Sequence, residues 1–308
     1  MLKAIKEMNY ADNDVALYVV DIKEATTKTN SKYLRVTLRD TKKKEITCNY
    51  GGRSLENTEL KVGEGYEFIV NRGTYNGNDS YTLVNVKTKL SDVSEYVSDM
   101  SGLAPTMDKY FNDVILSISD NKLKQFTTVM YEKMKEMGFL RSSAAQSMHH
   151  NYLSGLAYHT YGMVKVAESI AATDKRVNRD ILVVGCLIHD AGKLVELVTD
   201  EKGNASYTAK GLLKGHLCIG EEIVSEVARG ILEEDVAMQL SHIMLSHHGK
   251  LEWGSPVEPK TLEAFLVHQI DLIDSRKEMF CREYETIESG EVSDKRVIGL
   301  DNNFIYKP

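Results

Sequence analysis

The hydrophobic period of this 308-residue chain changes once, and that change restricts its folds more than any single motif does. Between Val15 and Val86 the period is two. In Tyr33–Arg39, Leu34, Val36 and Leu38 fall on one face while Tyr33, Arg35, Thr37 and Arg39 fall on the other, the pattern of a half-buried strand. Similar runs occur at Val15–Asp21, Glu45–Tyr50, Tyr66–Arg72 and Tyr81–Lys87, separated by polar or glycine-containing turns such as Asn76–Asn78. Five short strands predict a small Greek-key barrel. The OB-fold is the commonest such barrel that binds oligonucleotides, and an SH3-like barrel fits the same pattern. From Thr106 the period becomes helical, with stripes at Phe111, Val114, Ile115 and Ile118 and at Phe126, Val129, Met130, Met134 and Met137. The expected class is therefore α+β and multidomain. It has a β-barrel over residues 1–90, a linker over 91–105, an all-α helical bundle over 106–281, and a tail over 282–308 packed on the helical domain.

Composition narrows the setting. With 42% hydrophobic and 27% charged residues, the chain reads as a soluble globular protein. No apolar run approaches the ~18 residues that span a bilayer, and the N-terminus turns polar too early for a secretory signal, so the expected compartment is the cytoplasm, with no membrane partner. Cys48, Cys186, Cys218 and Cys281 lack CxxC spacing and are expected to be reduced thiols, mostly packed inside. The net charge of −7 argues against a simple DNA-coating protein. The balance is uneven, however: residues 1–90 carry 15 Lys and Arg against 12 Asp and Glu, which makes the barrel the better partner for a polyanion.

All nine histidines lie between His149 and His268. His159, His189-Asp190, His216, His247-His248 and Asp271 each sit in apolar helical surroundings, where an isolated carboxylate is costly unless paired or metal-bound. A shared metal site accounts for them together. Imidazole and carboxylate suit divalent first-row ions, and Asp190 beside His189 is placed to bridge two of them. Two ions about 3.5–4 Å apart activate a water and clamp the leaving oxygen of a phosphoester. Lys193, one turn on, would face the same cavity and neutralise phosphoryl charge.

The order His159, His189-Asp190, Asp271 resembles that of the HD-domain metal phosphohydrolases, and His216 with His247-His248 is similar to the extra ligand set of their dinuclear members. Five segments resemble the YhaM-type 3′-to-5′ exoribonucleases more closely: SSAAQSMHHNYLSGLAYHT (142–160), IHDAGKLVEL (188–197), YTAKGLLKGHLCIG (207–220), LSHHGKLEWGSP (245–256) and HQIDLIDSRKEMF (268–280). That family joins an N-terminal OB-fold to an HD domain. The ending GLDNNFIYKP is similar to its tail, and YLRVTLRD and VNRGTYNGNDSYTL carry the likeness in the barrel. The resemblance implies a first metal on His159, His189, Asp190 and Asp271, and a second on Asp190, His216, His247 and His248. It further implies manganese as the ion, although Mg2+, Fe2+ and Co2+ also suit such a site. The implied activity is removal of nucleoside 5′-monophosphates from the 3′ end of single-stranded RNA, with DNA left open as a second substrate. Asp190 and Lys193 are the expected catalytic groups. Two departures stand out: TKKKEITCNYGGRS replaces a more usual glycine-containing turn and aromatic residue, and Ser154 stands where a glycine is common.

Further candidates are expected to touch substrate: His149 and His150, which equally suit a helix cap; Trp253, as a base-stacking surface or a loop anchor; and Tyr33, Arg35, Arg39, Lys43 and Tyr75 on the barrel. His242 and His268 read as packing or supporting residues, and Asp274 as either an orienting or a surface carboxylate. Cys186 and Cys218 lie on apolar faces, which favours packing. The apolar segment near 111–137 leaves room for a homo-oligomer interface. Two rival readings remain. One is an HD hydrolase of small nucleotides, against which the barrel has no clear task; the other is an RNA-binding scaffold with a structural metal, against which the number of donors counts.

Overall fold

The period-two runs form β1 (Asp12–Thr26), β2 (Lys32–Arg39), β3 (Glu45–Gly51), β4 (Gly65–Tyr75) and β5 (Asn78–Lys89), hydrogen-bonded in the closed order β1-β2-β3-β5-β4. The computed structural model describes residues 2–27, 29–96, 99–145, 152–201 and 203–308. Closure depends on β1, which pairs with β4 through Asp12–Tyr18 and with β2 through Tyr18–Thr26, its register shifting between Val19 and Asp21. Such a bulge bends a strand, allowing one strand to serve two partners. A short parallel pairing, Cys48 with Tyr81 and Asn49 with Thr82, joins β3 to β5. The alternation then directs Val15, Leu17, Val19, Leu34, Val36, Leu38, Cys48, Phe68 and Val70 inward, all of them fully buried.

The chain divides into two compact units, one of Met1–Ser98 with Cys281–Pro308 and the other of Asp99–Phe280. This corrects the expected placement of the tail, which belongs with the barrel and not with the helical domain. Ile287, Leu300 and Ile305 are buried there, and Lys6 to Glu291 (2.9 Å) and Lys44 to Asp294 tie the tail to barrel residues. Exposed pairs of this kind are screened by solvent and contribute little, so the three apolar anchors carry most of the attachment. Arg282 donates to Glu45 Oε1 (3.1 Å), the oxygen that also accepts from Arg39 Nε (2.9 Å) and Nη2 (2.6 Å). Arg39 is consequently 8% exposed, which corrects its assignment to an open strand face. Lys43 likewise is not a freely solvated turn lysine: its ammonium donates to the Glu95 carbonyl (2.8 Å).

The second unit contains α1 (Ala104–Leu116), α2 (Asn121–Glu136), α3 (Gly155–Thr173), α4 (Arg179–Ile188), α5 (Lys193–Glu196), α6 (Ala209–Ala228), α7 (Glu234–Ser246) and α8 (Leu262–Thr286) up to Phe280. It is not all-α, because β6 (Leu197–Thr199) and β7 (Ala205–Tyr207) form a two-stranded hairpin. The Asp120 carboxylate caps α2 by accepting from Leu123 N (2.7 Å), and Phe111, Tyr131 and Phe139 form an aromatic cluster with centroids 5.7–6.1 Å apart. Two further expectations need correcting: Val129 is 44% exposed, and Cys218 and Cys281 are exposed while only Cys48 and Cys186 are buried. No helix among the described residues is long and apolar enough to cross a membrane.

Candidate metal centre

Helix α4 is apolar on every side from Ile181 to Ile188 and buried throughout, as expected of a central helix. Its C-cap is His189, and the following turn carries Asp190, so the chain changes from apolar to charged deep inside the unit. His159 comes from α3, His247 and His248 from the end of α7, and Asp271 from α8. Helix α6 is kinked at Gly215 (φ 70°, ψ 155°), a conformation open essentially to glycine alone, and His216 begins its second segment. Ser154, the departure noted before α3, adopts a left-handed conformation (φ 63°), which favours glycine. Its hydroxyl compensates by donating to the Leu140 carbonyl (2.6 Å).

Five helices and their ends bring all seven candidate donors together. His159, His189 and Asp271 form one group and His216, His247 and His248 another, with donor atoms in each group within 4.8 Å of one another. Asp190 lies between them. Its Oδ2 is 3.1 Å from His189 Nε2 and 3.9 Å from His159 Nε2, whereas its Oδ1 is 3.7 Å from His216 Nε2 and 3.8 Å from His247 Nε2. One carboxylate thus offers one oxygen to each group.

The outer nitrogens explain why the inner ones converge. His159 Nδ1 faces Asp274 Oδ2 (2.8 Å), His189 Nδ1 the Cys186 carbonyl (2.9 Å), and His216 Nδ1 Glu196 Oε1 (3.1 Å). His247 Nδ1 faces the Met244 carbonyl (2.9 Å) and His248 Nδ1 the Trp253 carbonyl (3.1 Å). All five partners are acceptors, so each Nδ1 donates, and any of these rings that is neutral directs its Nε2 lone pair inward. His216 and His248 then place those lone pairs 3.1 Å apart, and His247 Nε2 is buried with no hydrogen-bond partner. Converging lone pairs in a buried site repel one another unless a cation lies among them, so the donor set fits divalent ions.

Electrostatics sharpen the contrast between the groups. Burial, with His189 and His248 close by, pushes His247 well below the usual histidine range and keeps it neutral. Burial acts the same way on His159, but its hydrogen bonds to the Asp271 and Asp274 carboxylates overcome it and raise its pKa to about 9. Lys193 Nζ sits 2.8 Å from Asp190 Oδ2; burial opposes its charge, and Asp190 restores it, so the ammonium persists.

Two supporting carboxylates complete the site. Asp274 is only 2% exposed, so of its two sequence readings the orienting one applies. Glu196 escaped the sequence reading, yet it accepts from both the backbone N (3.0 Å) and Nδ1 of His216. The only available signal was its place one short helix after Asp190, within IHDAGKLVEL. Removing such a partner typically lowers metal affinity or activity about 10–100-fold. Glu196→Ala should fall in that range when rate is titrated against added metal; an unchanged titration would exclude an orienting role.

The remaining candidates are scattered. His268 Nδ1 donates to the His247 carbonyl (2.8 Å), and His242 Nε2 accepts from Lys260 N (2.8 Å), both supporting contacts. His149 and His150 lie outside the described residues. In the barrel unit, Arg35 is exposed opposite Asn49, Tyr33 is half-buried opposite Gly51, and Tyr75 stands 72% exposed at the end of β4. An aromatic and cationic pair not foreseen from the sequence, Tyr10 with the Arg72 guanidinium 4.5 Å from its ring centroid, occupies the same unit.

Comparison with known proteins identifies related chains. Residues 156–276 match the HD domain family. A Geobacillus protein named 3′-5′ exoribonuclease YhaM is 31% identical over 302 residues, covering 96% of this chain and 91% of the relative. Proteins of the same name from Bacillus subtilis and Listeria innocua are 33% identical over 239 residues and 38% over 195, covering 75% and 61% of those relatives.

Proposed function

Because the chain belongs to the family of proteins named 3′-5′ exoribonuclease YhaM, we propose that its metal centre cleaves the 3′-terminal phosphodiester of single-stranded RNA and releases nucleoside 5′-monophosphates. It is a hydrolytic enzyme with an HD domain, and hydrolysis of free small nucleotides is the less favoured reading. The observation that carries the mechanism is Asp190, one oxygen toward each histidine group. In this reading His159, His189, Asp190 and Asp271 hold one ion, and Asp190, His216, His247 and His248 hold the other, with manganese as the preferred ion. Two bound ions supply Lewis acidity at the phosphoryl oxygens and activate water toward phosphorus. The Nδ1 acceptors keep all five rings in the tautomer that presents Nε2. Lys193, fixed on Asp190, places a permanent positive charge where the phosphorane builds negative charge. The barrel, whose strand order is that of an OB-fold, holds the strand, with Tyr33, Arg35 and Tyr75 as its remaining candidate contacts. Cytoplasmic location is part of the same proposal.

Incubation with manganese and 5′-labelled single-stranded RNA tests this directly. The expected result is a ladder shortening from the 3′ end, abolished by chelator while the far-ultraviolet helical signal persists. An intact strand with metal bound would exclude the exonuclease. Proton linkage gives a second test. His159 holds a proton below about pH 9 in the ion-free protein, and a ligand must give it up. Metal affinity should therefore rise with pH up to that value, and at neutral pH loading should release about one proton per chain from this site. Calorimetry in buffers of different ionisation enthalpy reads that proton, and a buffer-independent heat would show that His159 is already neutral before the metal arrives.

A further inference from the structure

The loop after the last two histidines holds the chain's single tryptophan in an unusual position. Gly249 (φ 81°) and Gly254 (φ 84°) bracket a 3-10 turn, Leu251–Trp253, which is closed by Trp253 N to Lys250 O (3.0 Å) and Gly254 N to Leu251 O (3.0 Å). Beyond it, the buried Ser255 hydroxyl lies 3.1 Å from the Leu245 carbonyl and 2.9 Å from that of Val257. A Cβ added to Gly249 would lie 2.2 Å from the His268 ring, so the loop is seated against that ring, whose Nδ1 is bonded to the His247 carbonyl. Turn, His268 and the two histidine donors therefore form one block.

Within this block the Trp253 carbonyl holds His248 Nδ1, while the residue as a whole remains 42% exposed. A tryptophan that merely anchored a loop would bury its ring, as Phe111, Phe126 and Phe139 do at 0% exposure. Instead, the indole has the Lys250 ammonium 4.5 Å from its centroid and His268 at 6.0 Å, which leaves apolar ring surface open to solvent beside the metal centre. Open aromatic surface held by a pinned backbone loses little freedom on binding, and an aromatic face stacks on any base.

We propose that Trp253 is the binding subsite for the nucleobase of the 3′-terminal nucleotide, a stacking surface on the residue whose backbone carbonyl holds His248. The proposal rests on the exonuclease reading above. Because the contact with His248 is made by the backbone carbonyl, changing the side chain removes the stacking surface and leaves the histidine held. Stacking of this kind is sequence-tolerant, so the enzyme should shorten strands ending in any of the four bases at comparable rates.

The test compares 5′-labelled RNA carrying a normal 3′-terminal nucleotide with the same strand ending in an abasic ribose, using full-length protein and manganese. Wild type should process the abasic end about tenfold less efficiently in kcat/KM, chiefly through KM. Trp253→Ala should lose about tenfold on the normal end and show no further loss on the abasic one, with Trp253→Phe recovering part of the difference and metal content unchanged. Equal losses on both ends in Trp253→Ala, or a wild type indifferent to the missing base, would overturn the assignment in favour of a loop anchor. A wild type that shortens neither strand would instead sink the exonuclease reading, and the subsite with it.

Discussion

Asp190→Asn should reduce RNA turnover by about 10³-fold or more while leaving RNA binding largely intact. The substitution nearly preserves shape, so packing around α4 should hold; the buried run from Ile181 to Ile188 is untouched. What disappears is the negative charge shared by two groups of imidazoles, together with one of the two acceptor oxygens that face them. The amide also breaks the ion pair with Lys193, leaving that ammonium without its nearest counter-charge. Both effects act at the phosphoryl group and neither acts on the barrel. Single-turnover gels, strand binding by anisotropy and the circular dichroism spectrum together read the three quantities. Normal turnover in this variant would rule out Asp190 as the residue that joins the two groups.

Gly192→Ala should be nearly as damaging, by a different route. Gly192 has ordinary helical dihedrals, so conformational freedom is not the issue. A Cβ there would lie 1.9 Å from the His216 carbonyl oxygen and 2.7 Å from Gly220 N, both backbone atoms of α6. Backbone cannot rotate away as a side chain can, so α6 must move by about 1 Å or more, carrying His216 with it. Overpacking of this kind costs about 1–3 kcal/mol of stability, and a displacement of that size at a reacting site costs about 10²-fold in rate. The expected measurement is a loss of one bound ion per chain by elemental analysis, the first group being retained, together with that fall in rate. Full metal content at wild-type rate would show that the close approach of α5 to α6 is not needed to place His216.

Parts of this outcome were legible in the chain. Strict alternation in YLRVTLRD places Leu34, Val36 and Leu38 inward because side chains on a strand point to opposite faces, and the structure buries all three. Charged and imidazole groups inside apolar helical runs mark where a buried interior must contain polar donors, and six of those seven residues form two donor groups with Asp190 between them. Arg39 shows the limit. Its strand position directs it outward, but direction does not say what lies over it, and Glu45 and Arg282 cover it from across the sheet and from the tail. Likewise, Asp274 and Glu196 become orienting groups only when α8 approaches α3 and α5 approaches α6.

Local periodicity and the placing of polar groups in apolar runs therefore determined the main strands and helices, most of their inward faces and the candidate donors, since these depend on neighbours within a few residues along the chain. Tertiary structure alone decided which oxygen of Asp190 faces which histidines, which carboxylates hold the outer nitrogens, and that the tail packs with the barrel. Those features depend on contacts between residues as far apart as His159 and Asp274 or Lys6 and Glu291, separations over which a local pattern carries no information about distance.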